Sequence, residues 1–338
     1  MPLRMTMMKP FLQTCAALIL IGTLFLLPLH ARAQNVNCSV TSMSNVAFGG
    51  VNPASSQTDT TATLSYSCTN TTSQQRSARM CISIGEPNGG ASYPRQMSSG
   101  TNVLQFQLYQ DAARSIIWGS DGWPGNPGGG WTSNAATITL AANQTKTGTM
   151  TMYGRVIGGQ TGAVPGAYAD NYTWADTAIS VNQQTGTTAP STCSTTLTNG
   201  PFTFSVSATI TKSCTVTATA LDFGTVNGFL SANVDQTTAL QTTCTSGTAY
   251  KIGLDNGQNA VGTTRRMAGP AGEYAAYELY RDSNRTLRWG NDTTNGTDTV
   301  NDSGNGLAKT NTIYGRVAPQ ATPAPGSYSD TITVNVTY

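Results

Sequence analysis

Apolar and polar residues alternate in short runs separated by clusters of Gly, Asn and Pro: Ala62–Cys68, Val103–Tyr109, Gly148–Val156, Tyr274–Tyr280 and Ser329–Tyr338. A period of two is the pattern of a strand with one buried side. In the last run Ile332, Val334, Val336 and Tyr338 share one face, and Thr331, Thr333, Asn335 and Thr337 share the other. No convincing helical period appears. The expected fold class is all-β: two antiparallel β-sandwiches in tandem, each of about 150 residues.

The tandem reading rests on an internal repeat. The second half carries Cys214, Leu221-Asp222-Phe223-Gly224, Cys244, Arg266-Met267, Leu279-Tyr280, Trp289-Gly290, Tyr314-Gly315-Arg316-Val317 and Pro325-Gly326-Ser327-Tyr328-Ser329-Asp330. The first half carries Cys38, Val46-Ala47-Phe48-Gly49, Cys68, Met97, Leu108-Tyr109, Trp118-Gly119, Tyr153-Gly154-Arg155-Val156 and Pro165-Gly166-Ala167-Tyr168-Ala169-Asp170. Both cysteine pairs are 30 residues apart and both Leu-to-Trp intervals are 10. The chain is an internal duplication.

Residues 1–33 have a basic start (Arg4, Lys9), an apolar run and a small-residue Ala31-Arg32-Ala33 ending, the pattern of a secretory signal peptide. Its removal leaves 15 basic against 16 acidic residues, a net charge of about −1, so nucleic acid is not an expected partner. It also removes His30, the only histidine, and Cys15, leaving six cysteines. An even count in an exported chain reads as a disulfide framework. The repeat selects Cys38–Cys68 and Cys214–Cys244, which leaves Cys81 to pair with Cys193.

Charged residues are only 10% of the chain, against a usual figure of about 25%. Between the repeats, 182–200 is rich in Gln, Thr, Ser, Gly and Pro and reads as a linker that Cys193 ties back to the first domain. The expected organisation is a leader (1–33), a first domain (34–181), this linker and a second domain (201–338). Ahead of Cys214 lies an extra alternating segment, with Phe202, Phe204, Val206, Ala208 and Ile210 on one face; ahead of Cys38 only Gln34–Asn37 remain.

These motifs resemble those of the spore coat protein U family, the subunits of archaic chaperone-usher pili. The two-domain layout is similar to that of their tip adhesins. The resemblance implies an immunoglobulin-like sandwich that lacks one strand, filled first by a periplasmic chaperone and then by an N-terminal extension of the neighbouring subunit. It implies an exported protein, assembled by an outer-membrane usher and held at the pilus (fimbrium) tip. The second domain would be the incomplete fold, with Ile332, Val334, Val336 and Tyr338 on the strand that meets chaperone or subunit. With four residues before Cys38 in the mature chain, it can accept a neighbour's strand and has none to donate. Residues 202–210 occupy the place of a donor arm, with two uses open: completing the first domain in cis, which is preferred, or opening the second.

Strand parity, with 167–181 taken as one strand leading into the linker, puts the loops at 46–60, 85–102, 120–135 and 158–166 at the end away from the second domain. Trp118 to Tyr153 spans 35 residues where Trp289 to Tyr314 spans 25, and the ten extra residues hold Trp123-Pro124 and Trp131. Ile117 stands where the second copy has Arg288. The expected surface-binding patch comprises Val51, Ile117, Trp123, Pro124, Trp131, Ala163, Val164 and Pro165, facing hydrophobic surfaces, abiotic ones included. The plainer reading folds Trp123 and Trp131 back over their own sandwich. The function expected is surface attachment and biofilm formation; the alternatives are a structural coat or pilus subunit, or a lectin using Trp123 and Trp131 as sugar platforms.

No cofactor or metal is expected. Asp292, Asp298 and Asp302 lack a calcium-loop spacing. No catalytic residue is expected either, since nucleophilic chemistry needs an activating base and the mature chain has no histidine. Arg155 and Arg316, like Asp170 and Asp330, recur in both copies, which suits scaffold better than a site.

Overall fold

Alternation becomes strand in both halves. The computed structural model describes residues 35–52, 54, 57–86, 94–120, 132–199 and 201–338. The expected signal peptide, and Trp123, Pro124 and Trp131, lie outside the described residues. The only helical element among them is a 3-10 turn at Pro270–Gly272.

Strands are numbered in chain order. The first sandwich has an eight-stranded sheet ordered β1 (Val36–Met43), β3 (Thr58–Asn70), β8 (Thr145–Val156), β6 (Asn102–Tyr109), β5 (Arg95–Ser99), β9 (Gly166–Tyr172), β12 (Phe204–Ile210), β2 (Val46–Gly50). Facing it are β11 (Thr198–Asn199), β10 (Thr177–Thr185), β4 (Arg76–Ile84) and β7 (Asn134–Leu140). The second sandwich pairs β13 (Cys214–Ala218), β14 (Val234–Cys244), β19 (Ala308–Val317), β17 (Tyr274–Tyr280) and β16 (Arg265–Ala268) in one sheet. Its other sheet is β18 (Val300–Ser303), β15 (Ala249–Leu254) and β20 (Val334–Thr337).

The repeat motifs are core joints. Trp118 donates its indole N–H to the Ile82 carbonyl at 2.8 Å, and Trp289 to that of Ile252 at 2.9 Å. Beside each tryptophan a fully buried arginine donates to its carbonyl, Arg95 at 2.9 Å and Arg265 at 2.8 Å. The Tyr-Gly-Arg-Val glycine explains its pairing with the Val/Leu-x-Phe-Gly motif: a methyl at Gly154 would fall 2.9 Å from Phe48 Cζ and Val46 Cγ1. At Gly315 it would meet Leu221 and Phe223. Only glycine lets that segment cross the strand so closely. Arg155 grips Asp59 in two hydrogen bonds (2.7 and 2.9 Å), and Arg316 grips Asp235 likewise (both 2.7 Å). Both arginines are scaffold.

The three disulfides are Cys38–Cys68, Cys81–Cys193 and Cys214–Cys244. Two staple β1 to β3 and β13 to β14. The third straps the expected linker onto the outer face of β4, after which β11 adds to the edge of β10. A cross-link over 112 residues is worth about 4–5 kcal/mol in the chain-entropy account.

The segment with two open uses completes the first sandwich. β12 runs antiparallel to β9, Phe204 opposite Tyr172 and Ile210 opposite Gly166, and parallel to β2, with Val206 beside Val46. Phe204, Val206, Ala208 and Ile210 join the first core, each at most 5% exposed. The start expected for the second domain at residue 201 therefore moves past Ile210.

Candidate functional site

What β12 does for the first sandwich, no strand does for the second. There Leu221–Gly224 repeats β2 and Gly326–Ile332 repeats β9, yet among the described residues no strand of the chain lies between them. Covered by β12, Val46, Tyr168 and Tyr172 are at most 1% exposed; their uncovered counterparts Leu221, Tyr328 and Ile332 are half-buried. Leu221, Phe223 and Ile332 still pack on the second core, so the result is an apolar groove with its backbone edges unpaired. Val226 and Phe229, 43% and 83% exposed, follow directly on its Leu221–Gly224 wall. The expected partner strand divides accordingly. Ile332 ends one wall of the groove, whereas Val334 and Val336 lie on β20, paired with β15 in the other sheet, and Tyr338 is half exposed.

The expected binding patch separates into two ends of the first sandwich. Val51 is buried and its N–H donates to the Thr209 carbonyl at 2.9 Å, beside the exit of β12. Ala163 is buried; Val164 and Pro165 are half-buried and precede Gly166, which pairs with Ile210. The Tyr168 hydroxyl pins this loop through the Val164 carbonyl at 2.7 Å, as Tyr328 does through Ala324 at 2.6 Å. A methyl on Gly247 of the second sandwich would come within 3.3 Å of Val164 Cγ1, and one on Gly306 would strike the Thr161 carbonyl. The loop at 158–166 thus faces the second sandwich, and Val51 lies at the same end, beside the exit of β12.

Parity failed because residues 167–181 are two strands and β12 adds a third pass. The break is a four-residue turn, Thr173–Asp176. The Asp176 carboxylate accepts from the Thr173 N–H and hydroxyl, both at 2.7 Å, and the Asp176 N–H donates back to the Thr173 carbonyl at 3.0 Å.

Ile117 is half-buried, and the Arg288 it replaces belongs to an ion-pair set. Arg288 and Arg265 share Glu278 in the second copy; the first copy has Gln107 in place of Glu278, so its apolar neighbour loses no partner.

At the other end, the Gly85 N–H donates to the Asp176 carbonyl (2.7 Å), the Ile84 N–H to Gly119 (3.1 Å) and the Gly119 N–H to Thr132 (2.9 Å). The described stems of the segments 87–93 and 121–131 are therefore bonded to one another and to the Thr173–Asp176 turn. That turn presents Trp174, 69% exposed, which the sequence reading missed. A signal existed: seven residues separate Asp170 from Thr177, opposite Ile84, but four separate Asp330 from Val334, opposite Leu254. Trp174 sits in an insertion of the first copy, as Trp123 and Trp131 do.

Beneath this end lie acids. Arg95, fully buried, has Nε 3.5 Å from Glu86 Oε2. Burial pushes the Glu86 and Asp170 carboxyls each up to about 7, against the pull of Arg95, with Asp176 adding repulsion to both. The folded state then holds more protons than the unfolded one, so this stabilisation is complete below about pH 4 and is lost as pH rises through about 7. Residual solvent screening keeps the effect at roughly 2 kcal/mol. The urea midpoint of the first sandwich is expected to be higher at pH 5 than at pH 8, with Asp170→Asn flattening the profile. The second-copy carboxylates are occupied: Asp302 pairs with Lys309 (2.9 Å), and Asp292 accepts from Asn295 and Thr297.

Three comparisons place the chain. It is similar to a chain of the CsuC–CsuE chaperone-tip adhesion subunit pre-assembly complex from archaic chaperone-usher Csu pili of Acinetobacter baumannii, at 15% identity and a TM-score of 0.50, covering 89% of this chain and 100% of that one. A further solved structure is the CupB6 tip adhesin of Pseudomonas aeruginosa, at 12% identity and a TM-score of 0.35, covering 88% of this chain and 94% of that one. No curated protein matches in sequence. The Spore Coat Protein U domain profile matches residues 24–175 and 201–335, the second span beginning with β12, and the chain belongs to that family.

Proposed function

We propose that this protein is the tip adhesin of an archaic chaperone-usher pilus. The observation that carries the reading is the contrast between two copies of one fold, the first closed by its own β12 and the second open along the same groove. Such a molecule accepts a strand while its internal arm is already used, which suits the end of a fibre. The open groove suits strand addition, in which main-chain hydrogen bonds supply affinity and alternate side chains fill pockets. A periplasmic chaperone fills it first and the adjacent subunit afterwards, with an outer-membrane usher catalysing the exchange.

The surface-binding end is the one that carries Trp174 and the stems of the 121–131 segment, away from the second sandwich. A tryptophan buries about 150–250 Å² in full contact. At 69% exposure, sealing Trp174 against an apolar surface is worth about 3–4 kcal/mol before ordering costs. One contact of that size is weak, and many pili per cell make it strong. Changing Trp123, Trp131 and Trp174 together to Ser is expected to lower attachment of piliated cells to polystyrene at least tenfold with piliation unchanged. Undiminished attachment would exclude this end as the binding face.

A further inference from the structure

The strap that Cys193 holds against β4 does not lie flush. Between residues 191–197 and the outer face of β4 and β10 runs a groove of about 360 Å³, at the lower end of the range for small-molecule sites. Arg79, Ser83, Ser133 and Ser180 line it from the sheet, and Ser, Thr and Cys side chains of 191–195 line it from the strap. Ser83 and Ser133 share a hydrogen bond of 2.8 Å. Ser180, 3% exposed, makes no side-chain hydrogen bond among the described residues.

Arg79 is the unusual member. Its half-buried side chain makes no ion pair among the described residues, and its Nε is buried without a hydrogen-bond partner. The equivalent fully buried arginines of the two cores, Arg95 and Arg265, each have an acid and a carbonyl. A guanidinium partly withdrawn from water without an anion is costly, and its flat fork fits a carboxylate with two parallel hydrogen bonds.

The second copy shows that the fold does not require this arrangement. Ile82 and Ile252 are equivalent through their tryptophan hydrogen bonds, so Arg79 corresponds to Ala249, Cys81 to Lys251 and Ser83 to Gly253. The strap is likewise confined to the first copy. Cation, hydroxyl floor and roof occur together or not at all.

We infer that this groove is a binding site for an acidic saccharide, one uronate residue placing its carboxylate on Arg79 and its ring hydroxyls among Ser180, Ser83 and the strap. Leu197 and the Cys81–Cys193 disulfide supply the apolar side against which a pyranose ring lies. The site is on the flank of the first sandwich, separate from the open groove of the second.

The test is titration of the mature, disulfide-intact protein with galacturonate and glucuronate oligomers, with neutral glucose oligomers of equal length and with inorganic sulfate as comparators. Saturable uronate binding is expected, at least about tenfold weaker in Arg79→Gln and absent for the neutral sugars. Thr195→Trp, which fills the groove from the exposed strap without touching the sheet, is expected to abolish it as well, and this keeps the test decisive if Arg79→Gln misfolds. Equal binding of neutral and acidic oligomers, uronate binding unchanged in either folded variant, or binding of sulfate alone would overturn the assignment.

Discussion

Changing Phe204 and Val206 together to Asp unfolds the first sandwich and leaves the second folded. Both side chains are at most 5% exposed in the first core, where Phe204 stacks on Tyr172 with ring centroids 4.2 Å apart. Burying each is worth about 1.5–3 kcal/mol, and an unpaired carboxylate in either place costs more than the lost contact. Val206 lies opposite Asp170, so its replacement puts a second carboxyl beside one that burial already holds protonated up to about pH 7. The total, well beyond about 5 kcal/mol, is of the size of a domain's whole stability. The check is urea unfolding followed by hydrogen exchange in each half. Loss of β9 protection with β14 and β19 protection retained is the expected outcome; a first sandwich that keeps its midpoint would show that β12 is dispensable.

A peptide of the sequence of residues 202–211 binds the second sandwich and raises its melting temperature by roughly 10 °C at a hundredfold excess over its dissociation constant. The internal copy supplies the template: apolar residues at the positions of Phe204, Val206, Ala208 and Ile210, with polar residues between them facing solvent. The groove differs from its closed counterpart chiefly at one end, where Ile332 replaces Tyr172 and removes the stacking partner of Phe204. A peptide with Ile or Leu in place of that phenylalanine is therefore expected to bind more tightly than the native sequence, and one with Asp in place of Val206 not to bind. Calorimetry of the second transition, with the first as internal reference, reads all three.

The all-β class, the tandem sandwiches and the three disulfides were legible because each depends on local or repeated signals: period-two alternation, matching motif intervals and a cysteine set that the repeat sorts into pairs. The placement of Phe202–Ile210 was legible only as a choice. Alternation identifies a strand and its buried face but carries no information about which sheet edge receives it. The ends of the loops were misread for a related reason. Thr173–Asp176 breaks an apolar run with a turn built from Thr and Asp side chains instead of Gly or Pro, and the undetected reversal exchanges near and far for the 158–166 loop counted directly from it. Val51 and Ala163–Pro165 moved to the end facing the second sandwich on that account, and Trp174 came to the far end unannounced. Ile117 looked like an apolar departure from Arg288 until Gln107 was seen in place of Glu278, since a substitution on one strand makes sense only beside its partner on another.

Hydrogen exchange of the whole mature chain, with and without the peptide of residues 202–211, tests the closed-and-open contrast most directly. Amides of β9 and β12 in the first sandwich are expected to be protected under both conditions, whereas those of Leu221, Phe223, Tyr328, Asp330 and Ile332 exchange fast alone and slow only when the peptide is present. Protection of those five amides in the free chain, or fast exchange along β12, would contradict it.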